Sequence, residues 1–199
     1  ALQAAKGAYV ALLDHDDVLT EDALYWVVDA LQRERYDVVY SDEDRMAENG
    51  SHYLEPRFKP EFDIDLLRAY NYISHLFVAR RELMLADGGF HSQYDGAQGY
   101  DMILRCCEGN REICHIPRVL YHKRIHDGTS SEREAKHAQE NLAGKEALEA
   151  HVSREHLLAR VMMTDQRSVY TVKYDTPGNP LVSMIITGHT NRSLMEQML

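Results

Sequence analysis

Carboxylates are grouped in one short stretch of the chain, Asp14-His15-Asp16-Asp17. Asp14 and Asp16 are one residue apart, so in an extended turn both carboxylates can face a common cation. Such oxygen ligands suit Mg²⁺ or Mn²⁺, and an ion of this kind can bind a diphosphate and stabilise its charge as it leaves. The alternative is an acidic loop that merely caps the helix expected near Glu21. The position directly after an apolar segment favours the cation site.

A second acidic cluster, Asp42-Glu43-Asp44, also follows an apolar segment. Residues Tyr9 to Leu13 predict a buried strand, and Asp37 to Ser41 predict another. Between them Thr20 can cap an amphipathic helix, whose apolar positions are Ala23, Leu24, Val27, Val28 and Leu31. This strand–helix–strand order is typical of a parallel α/β sheet. Because ligands bind outside the carboxyl ends of such strands, both clusters are expected in loops at that edge of the sheet. For the second cluster, the alternative is a solvated loop without a binding role.

The rest of the chain predicts more helices and strands. Ala1 to Ala5 predict a last helical turn that Gly7 ends. Further helices are expected over Phe62 to Tyr70, Arg80 to Ala86, Tyr100 to Glu108 and Glu132 to His151. Further strands are expected over Tyr72 to Ala79, Ile113 to His122, Val169 to Tyr174 and, after the linker Thr176-Pro177-Gly178-Asn179-Pro180, Leu181 to Thr187.

The composition excludes some classes of protein. The net charge of −10 argues against binding to nucleic acid, which requires clustered Lys and Arg. No apolar run approaches the roughly 18 residues that a membrane span needs, and no signal segment opens the chain. Three cysteines without metal-type spacing favour reduced thiols and a cytoplasmic protein.

A longer series of motifs accompanies the acidic loop. It consists of residues 5–17 (Ala-Lys-Gly-Ala-Tyr-Val-Ala-Leu-Leu-Asp-His-Asp-Asp), 37–44, Phe58-Lys59-Pro60, 71–75, Gly88-Gly89-Phe90, 96–101, His115-Ile116-Pro117 and 121–126. In this order the motifs resemble the inverting GT-A glycosyltransferases of family 2, in the subset of multi-domain enzymes that build O-antigen and other surface polysaccharides. The resemblance covers residues 1 to about 131. It implies an α/β, partial GT-A fold (the nucleotide-diphospho-sugar transferase fold), with a mixed sheet flanked by helices.

The resemblance also implies a reaction and a set of site residues. The expected donor is a UDP- or dTDP-sugar, the acceptor is a glycan, and Mn²⁺ or Mg²⁺ is the cofactor. The metal ligands carried over are Asp14, Asp16 and His126. The residues expected to bind substrate are Asp17, Asp42, Asp44, His75 and Arg124, the last as a phosphate partner.

One position departs from the family pattern. Inverting transfer needs a carboxylate that takes the proton of the acceptor hydroxyl. The family places this Asp before an aromatic-Asp pair, where the present sequence has Gln98-Gly99-Tyr100-Asp101. Glycine cannot accept a proton, so either Asp101 substitutes as the catalytic base or this copy is impaired. The alternative role for Asp101 is structural, in a pair with Arg105 near a helix start.

Two alternatives and a division of the chain complete the predictions. A strand ending in Asp-x-Asp is also found in phosphatases of the haloacid dehalogenase type, but their later motifs are absent from the sequence. A degenerate, non-catalytic GT-A module is the other alternative.

Residues 1–131 are expected to be the metal and acceptor half of a GT-A domain, 132–176 a long helix with connecting strands, and 177–199 a linker and the first strand of a second GT-A domain. An interior piece of this kind is expected to turn over little alone, to form homodimers through open sheet edges, and to belong to a parent that associates peripherally with the inner face of the membrane.

Overall fold

The computed structural model describes residues 1–86, 88–125 and 130–185, with no side chain described between 130 and 136. Within these ranges the helices are α1 (Ala23–Arg33), α2 (Ile64–Ala69), α3 (Arg81–Ala86), α4 (Gln98–Cys106) and α5 (Ser130–Arg154). The strands are β1 (Tyr9–Leu12), β2 (Val18–Leu19), β3 (Val38–Met46), β4 (Tyr53–Arg57), β5 (Phe77–Arg80), β6 (Ile113–Arg124), β7 (Ala159–Met163) and β8 (Tyr170–Tyr174). The α/β class is confirmed.

The main sheet has the order β1-β5-β3-β6-β2, with β4 paired to β3. Strands β3 and β6 run parallel, whereas β5 is antiparallel to both β1 and β3. Strands β1 and β3 therefore point the same way, as their strand–helix–strand connection requires, but β5 separates them. The prediction of a parallel sheet from residues 9–41 was wrong, because the antiparallel strand arrives from a later part of the sequence. The mixed sheet implied by the family resemblance is confirmed.

Two buried clusters lie against opposite faces of this sheet, since successive side chains of a strand alternate between faces. Val39 of β3 packs with Val27 of α1. Val38 and Tyr40 pack in the other cluster, with Ile103 of α4 and further residues of α5. The sheet is thus covered by helices on both faces.

Helix α5 and the β7–β8 hairpin share the core of the preceding residues. Leu148 and Val152 of α5 and Val161 of β7 belong to the same buried cluster as α4. Tyr170 of β8 stacks on Tyr100 of α4, with ring centroids 6.1 Å apart. The part of the chain expected to be a connecting region therefore forms a wall of the same packed body.

Several predicted elements differ from those observed. Strand β3 continues to Met46, so the second acidic cluster lies inside a strand rather than in a loop after it. Strands β4 and β7 were not predicted, and Leu2–Ala4 is a turn of 3₁₀-helix. Residues 181–185 form no strand, and the remainder of that predicted strand lies outside the described residues.

The described helices include none with the length and apolar character that a membrane crossing demands.

Candidate active site

The acidic loop between β1 and β2 is held in place by β6. The Tyr121 hydroxyl donates to Asp17 Oδ2 over 2.6 Å, and the backbone N–H of Arg124 donates to Asp17 Oδ1 over 2.8 Å. The Arg124 guanidinium donates to the backbone carbonyl of Asp16 over 2.7 Å. Both carboxylate oxygens of Asp17 are thereby engaged within the protein. Asp17 and Arg124, both expected to bind substrate, thus fix the shape of the loop.

Asp14 and Asp16 remain as the carboxylates of this loop that could hold a metal. The Asp14 side chain is 59% exposed and that of Asp16 is 27% exposed. Partial burial, followed by the negative charge of Asp17, raises the pKa of Asp14. A divalent cation would relieve this unfavourable concentration of negative charge.

The donor set fits Mg²⁺ or Mn²⁺ in one specific sense. Mg²⁺ is commonly bound by one or two carboxylates together with water and substrate phosphates rather than by a full protein cage. Among the residues that the structure describes, no group of three or more His, Cys, Asp or Glu side chains is arranged to hold an ion. Of the three predicted metal ligands, the structure therefore describes the two carboxylates Asp14 and Asp16. His126, the third, lies outside the described residues.

A cavity of about 460 Å³ opens beside Asp14. Its walls combine side chains from the main sheet with residues of α4, α5 and β8. Polar and charged side chains dominate the sheet wall, namely Asp14, Glu43, Arg57, His75 and Lys123. The opposite wall includes Gly99, Tyr100, Gly144 and Tyr170. The fold therefore brings the acidic loop and the motif at residues 71–75 to one polar cavity.

Glu43 is the member of the second acidic cluster that lines this cavity. Asp42 and Asp44 do not line it, and the pairing of β3 is irregular around these residues. Asp42 accepts a hydrogen bond from the backbone N–H of Lys59 and contacts His115 Nε2 at 2.8 Å. The two substrate-binding residues predicted in this cluster therefore lie outside the cavity wall, and the residue that faces it was missed.

Asp44 has a structural environment of its own. Its Oδ1 lies 2.6 Å from His122 Nδ1, in a buried contact. The His122 ring stacks on Tyr53 of β4, with centroids 4.0 Å apart. This arrangement links β3, β4 and β6. Asp44 does not line the cavity.

His75, which the family resemblance predicts to bind substrate, lines the cavity. Its ring stacks on Tyr121 at 4.8 Å, and its Nε2 lies 4.0 Å from Asp14 Oδ2. Burial, reinforced by the nearby charges of Lys123 and Lys59, lowers the pKa of His75 to about 4. The ring is therefore neutral near pH 7 and can serve as a hydrogen-bonding group at the cavity wall.

Glu43 and Lys59 form a buried pair behind this wall. Their side chains are only 6% and 5% exposed, with Lys59 Nζ 3.7 Å from Glu43 Oε2. Lys59 Nζ also donates to the His75 carbonyl, and Glu43 Oε2 accepts from the His75 backbone N–H over 2.6 Å. Burial lowers the pKa of Lys59 to about 8, against the opposing effect of the Glu43 and Asp42 charges. The pair fixes the backbone that presents the His75 ring.

Gly99 and Asp101 lie in the first turn of α4 but in different environments. Gly99 lines the cavity, and a Cβ added there would meet no atom within 4 Å. Asp101 is 0% exposed, and its Oδ2 accepts from Arg105 Nη2 over 2.9 Å and lies 3.1 Å from His91 Nδ1. Asp101 is not part of the cavity wall, so its placement supports the structural alternative and argues against the predicted role as catalytic base.

Comparison with known proteins shows what this loop and sheet are similar to. Residues 1–85 match the family model described as Glycosyl transferase family 2. The match includes the acidic loop, β3 and the segment that carries His75, and it supports a glycosyltransferase rather than the phosphatase alternative.

Two curated relatives extend the similarity beyond that segment. Over 190 residues the chain is 40% identical to the uncharacterized protein y4gI of Sinorhizobium fredii, covering 94% of this chain and 21% of that protein. Over 185 residues it is 37% identical to the O-antigen biosynthesis protein RfbC of Myxococcus xanthus, covering 92% of this chain and 14% of that protein. The chain thus spans about a fifth or less of the length of these relatives.

A solved structure of S. aureus TarS 1-349 in complex with UDP-GlcNAc has a similar fold. Its TM-score is 0.50 at 18% identity, covering 72% of this chain and 43% of the TarS chain. The partial GT-A fold that the family resemblance implied is confirmed over this part of the chain.

Proposed function

We propose that this chain forms the metal and acceptor side of a transferase that moves a sugar from a nucleotide-diphosphate donor to a glycan, with inversion, in surface polysaccharide synthesis. The observation that carries the proposal is the convergence of the family 2 acidic loop, Glu43 and His75 on one cavity next to α4. The similarity to an O-antigen biosynthesis protein supports the polysaccharide context. A UDP- or dTDP-sugar is the proposed donor.

The proposed roles follow from position for the described residues and from the family resemblance for His126. Asp14 and Asp16 would hold Mn²⁺ or Mg²⁺, and His126 would be the third ligand. The cation supplies charge stabilisation to the leaving diphosphate. Asp17 holds the loop through Tyr121 and the Arg124 backbone. His75 offers a neutral hydrogen-bonding ring to the substrate, at the wall that it shares with Asp14.

The setting of the parent protein is part of the same proposal. A cytoplasmic transferase that works at the inner face of a membrane would fit the similarity to one relative named for O-antigen biosynthesis. Association of two copies through open sheet edges remains a prediction, and a monomeric mass in solution scattering would contradict it.

Calorimetric titration of UDP in the presence of Mn²⁺ tests the donor site. We expect binding that requires Mn²⁺ and is lost in Asp16→Ala, because removal of one of two carboxylates removes half of the described ligand set. Asp165→Ala, in the exposed turn between β7 and β8, is the matched control and retains binding. Metal-independent binding, or undiminished binding to Asp16→Ala, would contradict the metal assignment.

A second function is favoured by Gly99. Without a carboxylate at this position of the cavity wall, the chain would be a degenerate module that binds donor or acceptor but does not transfer sugar. The two functions separate when Mn²⁺-dependent UDP binding is measured together with donor turnover. Binding without turnover identifies the binding module.

A further inference from the structure

Next to the cavity lies a smaller pocket of about 200 Å³, which we name the basic pocket. Among the residues that the structure describes, the lining consists of four cationic residues and one apolar residue, with no carboxylate: Arg45, Arg57, Lys123, Arg124 and Ile125. The chain as a whole carries a net charge of −10. A concentration of positive charge on such an acidic protein needs a specific cause.

The strand register sets like charges side by side in this pocket. Strands β3 and β6 pair in parallel with Arg45 beside Lys123 and Met46 beside Arg124. Residues in register on adjacent strands share one face of the sheet, and like charges in such pairs destabilise it. An anion bound between these side chains would turn that repulsion into attraction.

Carboxylates of the described residues compensate these charges in part. Arg57 Nη1 lies 3.7 Å from Glu43 Oε1, with the arginine side chain 54% exposed. Arg45 pairs with Glu55 at 3.0 Å, but the two side chains are 38% and 62% exposed, where an ion pair contributes little. The Arg124 guanidinium donates to the backbone carbonyls of Asp16 and Glu48, which are neutral groups. Within the described part of the chain, Lys123 makes no ion pair. The pocket therefore retains positive charge.

The basic pocket adjoins the candidate active site, since Arg57 and Lys123 line both. Two of its cations, Arg45 and Arg57, come from β3 and β4 rather than from the acidic loop or β6, and neither is hydrogen-bonded to that loop in the described contacts. In the proposed function, a cation at Asp14 and Asp16 would be the counter-charge of the donor diphosphate. The guanidinium groups of Arg45 and Arg57 are 38% and 54% exposed beside their carboxylate partners, so they are placed to contact a second anion.

We infer that the basic pocket binds an oxyanion of the glycan acceptor, a carboxylate or a phosphate, and thereby selects acidic acceptors. This inference rests on the proposed transferase function. Guanidinium groups form strong, geometrically specific hydrogen bonds with either oxyanion.

The test uses the whole chain and two probes. Tetragalacturonate presents carboxylates on a sugar backbone, and inorganic phosphate presents the other oxyanion. Fully methyl-esterified tetragalacturonate has the same backbone without charge. Binding is measured by calorimetry for the wild type, for Arg45→Gln, which alters the basic pocket outside the active-site cavity, and for Arg33→Gln, which removes an exposed, ion-paired arginine of α1. UDP with Mn²⁺ is titrated into each protein in parallel.

We expect at least one charged probe to bind, to bind more weakly as salt is added, and to lose about tenfold in affinity in Arg45→Gln but not in Arg33→Gln. The charged probe that binds identifies the oxyanion, and the esterified probe does not bind. Equal affinity of Arg45→Gln and the wild type, or binding of neither charged probe, would overturn the inference. Loss of UDP affinity in Arg45→Gln would also overturn it, by assigning the pocket to the donor. Absence of UDP binding in the wild type would instead contradict the proposed donor site.

Discussion

The buried pair of Lys59 and Glu43 gives a prediction at the scale of single residues. Lys59→Met leaves the Glu43 carboxylate buried beside an apolar side chain, with the more exposed Arg57 3.7 Å away as its remaining cation. Breaking a buried pair in this way costs about 3 kcal/mol. We expect that loss in the free energy of unfolding by urea. The double variant Lys59→Met/Glu43→Gln regains part of it, and a stable single variant would show that the pair is not a constraint on the wall.

Gly99 provides a second prediction at this scale. A side chain added here enters open space in the cavity, so Gly99→Asp should fold as the wild type does. If the missing base limits turnover, the carboxylate introduced by this substitution should raise Mn²⁺-dependent release of UDP from UDP-GlcNAc by about 100-fold. Gly99→Asn has the same shape without a basic oxygen and is the matched control. An equal response of the two variants would remove the base from the explanation.

The roles of the predicted site residues stay predictions, whereas the structure gives their positions. Asp14 and His75 are 61 positions apart, yet both line the cavity. The expectation of a loop at residues 42–44 was wrong, because β3 continues to Met46. The apolar pattern ends at Tyr40, and no local signal shows that the strand continues through charged residues paired to β4 and β6.

At the scale of elements, a polar cluster joins α4 to α5 and α2. Glu108, just beyond α4, contacts His151 Nδ1 at 2.9 Å and accepts from Arg154. Arg68 of α2 donates to His151 Nε2 over 3.1 Å. That nitrogen is therefore unprotonated, and the proton of the neutral ring is on Nδ1, facing Glu108. These contacts link three helices that no short stretch of sequence relates.

This cluster predicts how stability depends on pH. Burial raises the pKa of Glu108, but hydrogen bonds from His151 and Arg154 outweigh it and lower the pKa below 4.5. The contribution to stability is thus present above pH 4.5 and is lost as the pH falls through the lower, folded-state pKa. We expect Glu108→Gln to cost about 1 kcal/mol at pH 7 and to lose less stability than the wild type between pH 5 and pH 3 in thermal unfolding. Parallel curves for the two proteins would contradict this.

Helix α5 could be predicted from its periodicity, whereas the strands around it could not all be. Strand β7 begins five residues after the end of α5 and has no separate pattern in the sequence. Strand β4 contains Pro56, and proline is unfavourable within a strand. Each is stabilised by a partner distant from its own sequence pattern: β4 by β3, and β7 by β8 and the α5 core. Tertiary pairing therefore decided what local propensity left open.

At the scale of the whole molecule, the question is whether residues 132–176 are held firmly on the preceding part of the chain. Gly144 of α5 and Tyr170 of β8 touch closely at the cavity wall. A Cβ on Gly144 would lie 2.1 Å from the Tyr170 hydroxyl oxygen, which donates to the Asn141 carbonyl over 3.1 Å. Tyr170 also stacks on Tyr100, so this contact links α5, β8 and α4.

In an unconstrained helix, Gly→Ala stabilises by about 1 kcal/mol. Here we expect Gly144→Ala to destabilise the protein by about 2 kcal/mol, because the added methyl group must displace a buried tyrosine. In a Tyr170→Ala background the clash is gone, and the same change should stabilise. Urea unfolding of the four proteins in this double-mutant cycle measures the reversal of sign. If Gly144→Ala stabilises in both backgrounds, β8 is not packed against α5, and the cavity wall formed by Gly144 and Tyr170 does not persist in solution.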